Sequence, residues 1–521
     1  MLRSSDWQYN GAYVSREKDR INVIEEAILL IVFTGLSALV RFWKLGTWSF
    51  WADEVFSVQD AMKFPDYLTV NPLIYILINK ITSIFGVSEW SARLGPCIIG
   101  ILSVPFIYWF AKGMFNARTG IIASSLLIFH PWHIFWSQNA RAYSMSFLFA
   151  GLASYLFFQA IEKDSIGYII SAFLATLLAI SAYMQSVLLL PVFLGYIIIL
   201  PLLPVNIPKG LNGKNLIIFF GPFLIASLLL VLPSVRSYIY SGWGSNEWGR
   251  SYLYILFTVV YSVGIPVTTA SFVAGLHSLA YLNRGGLFLI CYCIIPLAIL
   301  MIISPFLNVA GYYLFFTMPA YLILASFCVS EMSAQMPRAT KALSSSLYLV
   351  LLIFLISQSY LYFVKENGGR EKWREAFQSI SDANNKQSLI ITTMPRIAEY
   401  YIKRDDIMQL EDVISRLNIL QKQWSEKKNV WFVLDEPSLN VLDPNRKFRE
   451  WLYDNCKIYK EFPVYARVMD RTINVWRLMK PEPVMKNMPT IIEENIDSNV
   501  SEQRINNESN IDSFSSVQTA E

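Results

Sequence analysis

The sequence predicts a polytopic α-helical membrane protein with a small α/β domain after its last span. The first observation is composition: 54% of the 521 residues are hydrophobic and only 16% are charged, whereas soluble domains carry about a quarter charged residues. The second is that apolar stretches of about 20 residues, enough to cross ~30 Å of hydrocarbon, recur from Ala27 to Phe363 and then stop. The third is that three short strand-like runs, S-L-I-I-T-T, N-V-W-F-V-L and T-I-N-V-W-R-L, alternate with charged helical patterns after Phe363.

Changes in composition divide the chain into four parts. Residues 1–26 are predicted to be a cytoplasmic arm, whose positive charges indicate the inner side. The first twenty residues are polar and charged and lack the apolar centre of a cleavable signal peptide, so we expect the first span to stay as an anchor. Residues 27–364 form the transmembrane domain, whose first extracytoplasmic loop covers 47–90. Residues 365–480 form the α/β domain. Residues 481–521 hold eight acidic and two basic residues, and we expect this acidic tail to be disordered because it has too little apolar surface to fold.

The apolar segments predict about eleven transmembrane helices. An odd number of spans places the two ends of the domain on opposite sides of the membrane. The segment that follows Tyr252 has two interpretations, one long span or a surface helix followed by a span. The predicted spans are Ala27–Lys44, Ser91–Lys112, Thr119–Phe135, Ala142–Ala160, Gly167–Tyr183, Ser186–Leu203, Leu216–Pro233, Leu253–Leu282, Leu287–Ser304, Gly311–Ser330 and Ala342–Phe363.

Positive charges distinguish the two sides of the predicted membrane domain. The positive-inside rule makes the side rich in lysine and arginine cytoplasmic. The first loop, the connection from His130 to Arg141, the loop from Ser234 to Arg250 and the α/β domain are then extracytoplasmic. The cations that define the cytoplasmic side are those of the N-terminal arm with Lys112, Arg118, Lys163, Lys209, Lys214, Arg284, Arg338 and Lys341.

The first loop is long for a connection between membrane helices. Within it, Asn71–Ile81 has an apolar helical pattern that is too short to cross a bilayer, so we expect a helix that lies on the membrane surface. The loop starts with S-F-W-A-D-E, which places Asp53 and Glu54 where the chain leaves the membrane. The sequence therefore predicts a small platform that carries two adjacent carboxylates.

Other compositional features argue against several kinds of site. The net charge of +4 is small and spread along the chain, so it does not indicate a nucleic-acid partner. The five cysteines show no paired spacing, which argues against a zinc site and a disulfide framework. The two histidines of H-P-W-H, His130 and His133, have too few neighbouring ligands to indicate a metal.

Ionisable residues at membrane depth are functional candidates by default. Asp53 and Glu54 could simply favour the start of a helix, but they lie among aromatic residues in a half of the chain that has few acids. Arg141, in S-Q-N-A-R-A-Y, opposes the charge bias of the outer side, and it is either a topology marker or a phosphate ligand. The guanidinium fork suits a phosphate, so we favour the second interpretation.

Five motifs carry a resemblance to a known class. They are F-W-A-D-E, N-P-L-I-Y, S-E-W-S-A-R-L-G-P, A-R-T-G and H-P-W-H-I-F-W-S-Q-N-A-R-A-Y, in this order between Trp48 and Ala160. The chain resembles membrane glycosyltransferases of the GT-C class, especially the branch that includes dolichyl-phosphate-mannose protein mannosyltransferases and the aminoarabinose transferase of lipid A. G-Y-Y-L-F-F-T-M-P-A-Y and E-K-W-R-E-A are similar to weaker signatures of this class. Family members often have an acid at the position where this chain has Asn139. Because that acidic ligand is missing, the case for a metal is weaker here, and we expect no cofactor, with a divalent metal as the alternative.

The resemblance implies transfer of a sugar from a polyprenyl-phosphate donor to a protein, lipid or glycan acceptor, with inversion at the anomeric carbon. The residues suit that chemistry, because a carboxylate can take the proton of a hydroxyl acceptor and a cation can stabilise the leaving phosphate. We expect Asp53 to be the base with Glu54 orienting or replacing it, and Arg141, then Arg93, to bind the phosphate. Further substrate-binding candidates are Asn71, His133, Gln138 and Tyr143.

Two alternatives stay open. A lipid or sugar transporter would also place charges within helices, but it predicts inverted repeats and interrupted helices with ion sites near the membrane midplane, and we find no such repeat. A catalytically inactive scaffold of the same fold is the other alternative, and only activity separates it from an enzyme. In each case the protein is expected to be multi-pass and surrounded by membrane lipids, with a prokaryotic cell membrane as the favoured location.

Overall fold

The computed structural model consists of two compact units. The first unit ends at Arg370 and also takes in the short stretch that begins at Tyr465, and the second runs from Glu371 to Val464 and resumes at Met469. The predicted tail and most of the predicted N-terminal arm lie outside the described residues. The structure describes residues 22–65, 71–241, 251–307, 309–335, 338–380, 388–415, 429–467 and 469–479.

The first unit is almost entirely helical. Short 3₁₀ turns interrupt or precede its helices at Met184–Leu188, Leu200–Leu202, Leu228–Val231, Gly311–Thr317 and Asn367–Gly369. Its α-helices are Val23–Phe42, Ala52–Lys63, Pro72–Phe85, Glu89–Met114, Ala117–Ile128, Pro131–Ser137, Tyr143–Lys163, Ile166–Ala182, Leu189–Ile199, Gly213–Ser227, Pro233–Ser241, Tyr252–Val263, Ile265–Ala280, Arg284–Ile303, Met318–Gln335 and Arg338–Val364.

Each predicted span coincides with helical structure, and the polytopic helical fold is confirmed. Within the described residues, eight helical segments are long and apolar enough to cross a membrane, and a bent pair makes up to nine. Ala117–Ile128 and Ile166–Ala182 also match predicted spans but are shorter than these.

Two predicted spans are broken helices. The span predicted at Thr119–Phe135 ends at Ile128, because Pro131 cannot continue the hydrogen-bond ladder and instead starts the seven-residue helix Pro131–Ser137. The segment after Tyr252 bends by 100° at Gly264, whose φ of +93° is a conformation that suits glycine. Of the two interpretations of that segment, the structure thus agrees with two consecutive helices and not with one long straight span.

The first loop contains two helices, Ala52–Lys63 and Pro72–Phe85. The second covers the predicted Asn71–Ile81 helix, and Pro72 stands at its first position, where the missing N–H has no partner to lose. It buries Ile74 and Ile78 on one face, a spacing of one helical turn. The helix is confirmed, and its position on the membrane surface stays a prediction.

The second unit contains a five-stranded sheet beside short helices. Numbered along the whole chain, its strands are β1 Ser388–Thr392, β2 Met408–Gln409, β3 Asn429–Asp435, β4 Cys456–Phe462, β6 Met469–Asp470 and β7 Ile473–Leu478, while β5, Tyr465–Ala466, belongs to the first unit. The helices of the second unit are Trp373–Gln378, Pro395–Ile402, Leu410–Ser415, Glu436–Leu442 and Lys447–Asn455.

The strand order in the five-stranded sheet is β2-β1-β3-β7-β4. β1 pairs in parallel with β2 and β3, and β7 pairs antiparallel with β3 and β4. The three strands predicted from sequence are β1, β3 and β7, which are the most buried. Edge strand β4 was not predicted, because the middle of Cys456–Phe462 is polar and largely exposed.

Candidate active site

Asp53 and Glu54 lie in the first turn of the helix Ala52–Lys63, where carboxylates interact favourably with the helix dipole. Consecutive helical residues point about 100° apart, so the two side chains enter different environments. The side chain of Asp53 is 33% exposed, whereas that of Glu54 is fully buried. The adjacent pair therefore divides into an accessible acid and a buried one.

Glu54 is held by two arginines and one backbone amide. Arg93 donates from Nε and Nη2 to the two carboxylate oxygens, each at 2.7 Å, and Arg370 Nε lies 3.4 Å from Oε2. The N–H of Ala140 donates to Oε1 at 2.9 Å. Burial opposes the charged form, but the two guanidiniums and the amide outweigh it, and the pKa of Glu54 lies below its ordinary value.

Arg93 lies one turn into the helix Glu89–Met114, which starts at a capping box formed by Ser88 and Ser91. Its side chain is fully buried. Besides Glu54, it contacts backbone carbonyls at the start of the first loop: those of Leu45 at 3.1 Å, Trp48 at 2.9 Å and Ser49 at 3.0 Å. These contacts suit an anchor for the loop better than the predicted second ligand of a phosphate.

Arg141 has a more open environment than Arg93. Its side chain is 27% exposed, and Nη2 lies 3.7 Å from Asp53 Oδ2, which is longer than a hydrogen bond. Nη1 donates to Ser57 Oγ at 3.2 Å. Although partial burial disfavours the charge, Asp53 and neighbouring tyrosine hydroxyls raise the pKa of Arg141, so the guanidinium stays charged.

At this site the start of the helix Ala52–Lys63 meets the turn Asn139–Arg141 through several contacts. Besides the Glu54 and Asp53 contacts, Trp51 Nε1 donates to Asn139 Oδ1 at 3.3 Å. The helix that starts at Ala52 is thereby joined to the turn Asn139–Arg141, in which the N–H of Arg141 donates to the Asn139 carbonyl at 2.7 Å. The structure thus brings together the acid pair and Arg141, which are 87 or 88 positions apart in the chain.

Tyr143 belongs to an aromatic cluster next to Arg141. Its buried ring lies 3.7 Å from that of Trp136, measured between centroids, and 5.0 Å and 5.9 Å from those of Tyr183 and Tyr312. Tyr143 and Tyr312 are also among the groups that raise the pKa of Arg141, after Asp53. Aromatic faces and hydroxyls beside a cation can contact a sugar ring, and Tyr143 therefore stays a substrate-binding prediction.

The other predicted binding residues have structural contacts. Asn71 Oδ1 accepts from the N–H of Met184 at 2.9 Å. Gln138 is buried; its Nε2 donates to the carbonyls of Arg41 and Trp43, at 2.8 Å and 2.7 Å, and its Oε1 accepts from Tyr362 at 2.9 Å. These bonds leave little of the Gln138 amide for a ligand.

His133 is buried beside Arg41, with 2.9 Å between its Nδ1 and Arg41 Nη2. Arg41, which was not among the predicted site residues, also donates to the carbonyls of Leu127 and Ile128, at 3.0 Å and 3.3 Å. A cation there satisfies carbonyls that the end of the helix at Ile128 leaves free. His133 therefore lies with Arg41 at the break before Pro131, and direct substrate contact stays a prediction.

The other residue that sequence reasoning missed is Arg370. It is 1% exposed and joins the contacts of Glu54 from the far end of the first unit. The signal that could have indicated it is the doublet Gly368–Gly369 directly before it. Gly368 has a φ of +65°, and a Cβ there would lie 2.4 Å from the Trp48 ring, so only glycine fits this turn.

No group of three or more His, Cys, Asp or Glu side chains that could hold a metal ion is found within the described part of the chain. The acids near Arg141 are Asp53, which faces the guanidinium, and Glu54, which the arginines occupy. A site for a resident metal is therefore not assembled from these side chains, and the prediction of a reaction without a cofactor stays a prediction.

Comparisons with known proteins bear on the fold of this unit. Residues 69–235 match the family model of dolichyl-phosphate-mannose-protein mannosyltransferase, a range that contains Arg93 and Arg141 but not Asp53. No curated protein matches the chain by sequence comparison.

Solved structures match over much more of the chain. ArnT from Cupriavidus metallidurans, in the apo state, is 12% identical and superposes with a TM-score of 0.55 over 86% of this chain and 97% of its own. The chain has the GT-C fold. The same ArnT bound to undecaprenyl phosphate gives a TM-score of 0.54, with the same identity and coverage.

A second solved structure matches over a smaller share of its own length. The archaeal oligosaccharyltransferase AglB from Archaeoglobus fulgidus, in complex with an inhibitory peptide and a dolichol-phosphate, is 10% identical and has a TM-score of 0.53, covering 78% of this chain and 69% of its own. The resemblance to the GT-C class that the motifs predicted is therefore confirmed for the fold, and the chain is an integral membrane protein.

Proposed function

We propose that the protein is a membrane glycosyltransferase that moves a sugar from a polyprenyl-phosphate donor to a hydroxyl acceptor on the extracytoplasmic face, with inversion at the anomeric carbon. The observation that carries this proposal is the loose contact between Asp53 and Arg141, 3.7 Å apart and both partly exposed. Supporting it, the similar structures of ArnT and AglB hold undecaprenyl phosphate and a dolichol-phosphate.

Asp53 serves as the general base. A carboxylate oxygen takes the proton of the acceptor hydroxyl as the acceptor oxygen attacks the anomeric carbon from the face opposite the phosphate. The bond between the anomeric carbon and the phosphate oxygen breaks, and its electron pair leaves with the polyprenyl phosphate. A positioned carboxylate contributes about 10²–10⁴-fold to such a step, and the proton on Asp53 then passes to water.

Arg141 binds the phosphate of the donor. Its contact with Asp53 is longer than a hydrogen bond, so a phosphate oxygen can replace the carboxylate as the closer partner. A guanidinium gives a phosphate two parallel hydrogen bonds, and it stabilises the negative charge that grows on the leaving group. Displacement of Asp53 from Arg141 by the donor would at the same time leave the carboxylate available to the acceptor.

Glu54 acts as a positioning residue rather than as a second base. Its two oxygens are occupied by Arg93, Arg370 and Ala140, and its side chain is fully buried. An acceptor hydroxyl would have to displace an arginine to reach it. Asp53, one third exposed, offers an oxygen without that cost.

Transfer is tested with purified protein in lipid nanodiscs. Synthetic polyprenyl-phosphate sugars are the donors, a membrane and glycan extract supplies acceptors, and released polyprenyl phosphate is measured by mass spectrometry with and without EDTA. We expect release by the wild type in both conditions, and release about 10²–10⁴-fold slower by Asp53→Asn. Mass spectrometry of surface glycans from cells with the wild type or the variant identifies the product.

The rival functions give different results in the same preparation. Movement of a labelled lipid across liposomes that contain the protein, without release of polyprenyl phosphate, would identify a transporter. Binding of undecaprenyl phosphate without transfer from any donor and without a change in cell glycans would identify an inactive scaffold. If EDTA stopped the release of polyprenyl phosphate, the prediction that transfer needs no metal would be wrong.

A further inference from the structure

Arg370 contacts both chain segments that form the candidate site: the first covers residues 45–60 and carries Asp53, and the second covers residues 135–143 and carries Arg141. Its Nε lies 3.4 Å from Glu54 Oε2, and its Nη2 donates to the carbonyl of Gln138 at 2.5 Å. Glu54 is the neighbour of Asp53, and Gln138 precedes Arg141 by three positions. One guanidinium therefore spans the stretch that carries the proposed base and the stretch that carries the proposed phosphate ligand.

The surroundings of Arg370 fix its orientation. Nη1 donates to the carbonyl of Gly368 at 2.7 Å and lies 3.4 Å from the Tyr362 hydroxyl. The guanidinium carbon is 5.7 Å from the centroid of the Trp48 ring and 5.0 Å from that of Phe135, distances at which a cation and an aromatic face attract. Trp48 precedes Asp53 and Phe135 precedes Arg141, so these rings also belong to the two segments.

Arg93 differs from Arg370 in this respect. Besides its ion pair with Glu54, Arg93 donates to the carbonyls of Leu45, Trp48 and Ser49, which lie in the first segment, as does Phe50, whose ring centroid is 5.2 Å from its guanidinium carbon. Loss of Arg93 would loosen the first loop, whereas loss of Arg370 would loosen the first loop against the turn that carries Arg141.

We propose that Arg370 is a positioning residue that sets the separation of Asp53 and Arg141 by joining Glu54 to the Gln138 carbonyl. The expected effect on turnover rests on the proposed function. The expected effect on the positions of the two segments rests on the contacts of Arg370 alone. A displacement of about 1 Å at a reacting group can lower a rate about 10²-fold, so fixing this separation matters for turnover more than for binding of the lipid.

The test compares Arg370→Gln and Arg370→Lys with the wild type. For Arg370→Gln we expect kcat to fall roughly 10–100-fold, since a displacement of about 1 Å at a reacting group can cost about 10²-fold, with the Kd for undecaprenyl phosphate within about threefold. Arg370→Lys keeps the charge without the planar fork, and we expect it to recover part of kcat. Arg404→Gln is the matched control, since Arg404 is a buried arginine of the second unit that pairs with Asp406 at 2.8 Å.

Hydrogen exchange gives a readout that needs no donor. Arg370→Gln should speed exchange in peptides that cover both 49–60 and 137–143, whereas Arg93→Gln should do so mainly in the first. Unchanged exchange in 137–143 for Arg370→Gln, or equal falls in kcat and lipid affinity, would overturn the positioning role. Faster exchange in both segments of a protein whose wild type transfers no sugar would support the positioning role and reject the proposed function.

Discussion

The backbone N–H of Ala140 donates a hydrogen bond of 2.9 Å to Glu54 Oε1. Ala140 directly precedes Arg141, and Glu54 directly follows Asp53, so this bond joins the neighbours of the two proposed reacting groups. Because both of its partners are fully buried, the bond is shielded from competing water, which makes it stronger than an exposed one. The two proposed reacting groups are thus placed by a contact that neither of them makes. This arrangement gives Asp53 and Glu54 separate roles.

Asp53→Asn should abolish most turnover without loss of the lipid substrate. The amide keeps the size of the side chain but cannot take a proton, so we expect kcat to fall about 10²–10⁴-fold while the Kd for undecaprenyl phosphate changes little. Asp60→Asn, on the same helix, is the control and should stay within a few-fold of the wild type. Normal turnover in Asp53→Asn, with collapse in a folded Glu54→Gln, would instead make Glu54 the base.

Glu54→Gln should act through stability. Removing this charge leaves Arg93 and Arg370 buried without the carboxylate that they share, and breaking a buried ion pair costs roughly 3–5 kcal/mol. We therefore expect a lower melting temperature in detergent and less folded protein. A variant that is as stable as the wild type would show that the arginines find other partners.

The same ion pairs make stability depend on pH. The pKa of Glu54 is lowered from its ordinary value of 4.5 by its arginine partners, against the effect of burial. Its contribution to stability is therefore fully present above about pH 4.5 and is lost as the pH falls towards the lower folded-state pKa. Melting curves between neutral pH and pH 3 should fall less steeply for Glu54→Gln than for the wild type. Parallel curves would contradict this assignment.

Hydropathy and motif order predicted the membrane fold, the three central strands of the second unit and the acid pair, because each of these is encoded within a short stretch. The different surroundings of Asp53 and Glu54 could not be predicted, since they depend on arginines 39 and 316 positions away from Glu54. Arg370 lies outside the apolar spans, where a buried cation is not expected from sequence. The break before Pro131 was missed because the apolar run continues through it, although the proline itself is a helix-stop signal.

The orientation in the membrane also gives a direct test. The positive-inside rule places the second unit and the first loop outside and the Lys209 region inside. Protease added to intact spheroplasts should therefore remove the second unit and spare a tag inserted beside Lys209, which should be cut only after lysis. Protection of the second unit with cleavage beside Lys209 would reverse the assignment and place Asp53 on the cytoplasmic face.

Arg141 provides the sharpest test of lipid phosphate binding. Hydrogen bonds to charged groups contribute about 1.5–3 kcal/mol, so Arg141→Ala should weaken binding of undecaprenyl phosphate roughly 10–100-fold. Arg141→Lys keeps the charge but loses the two-pronged fork, and we expect an intermediate affinity and reduced turnover. Arg118→Lys, an exposed arginine on the helix Ala117–Ile128, is the control for a change of the same kind away from the site. Equal affinity and turnover in the lysine and alanine variants at position 141, both folded, would mean that this arginine serves only to orient the chain in the membrane.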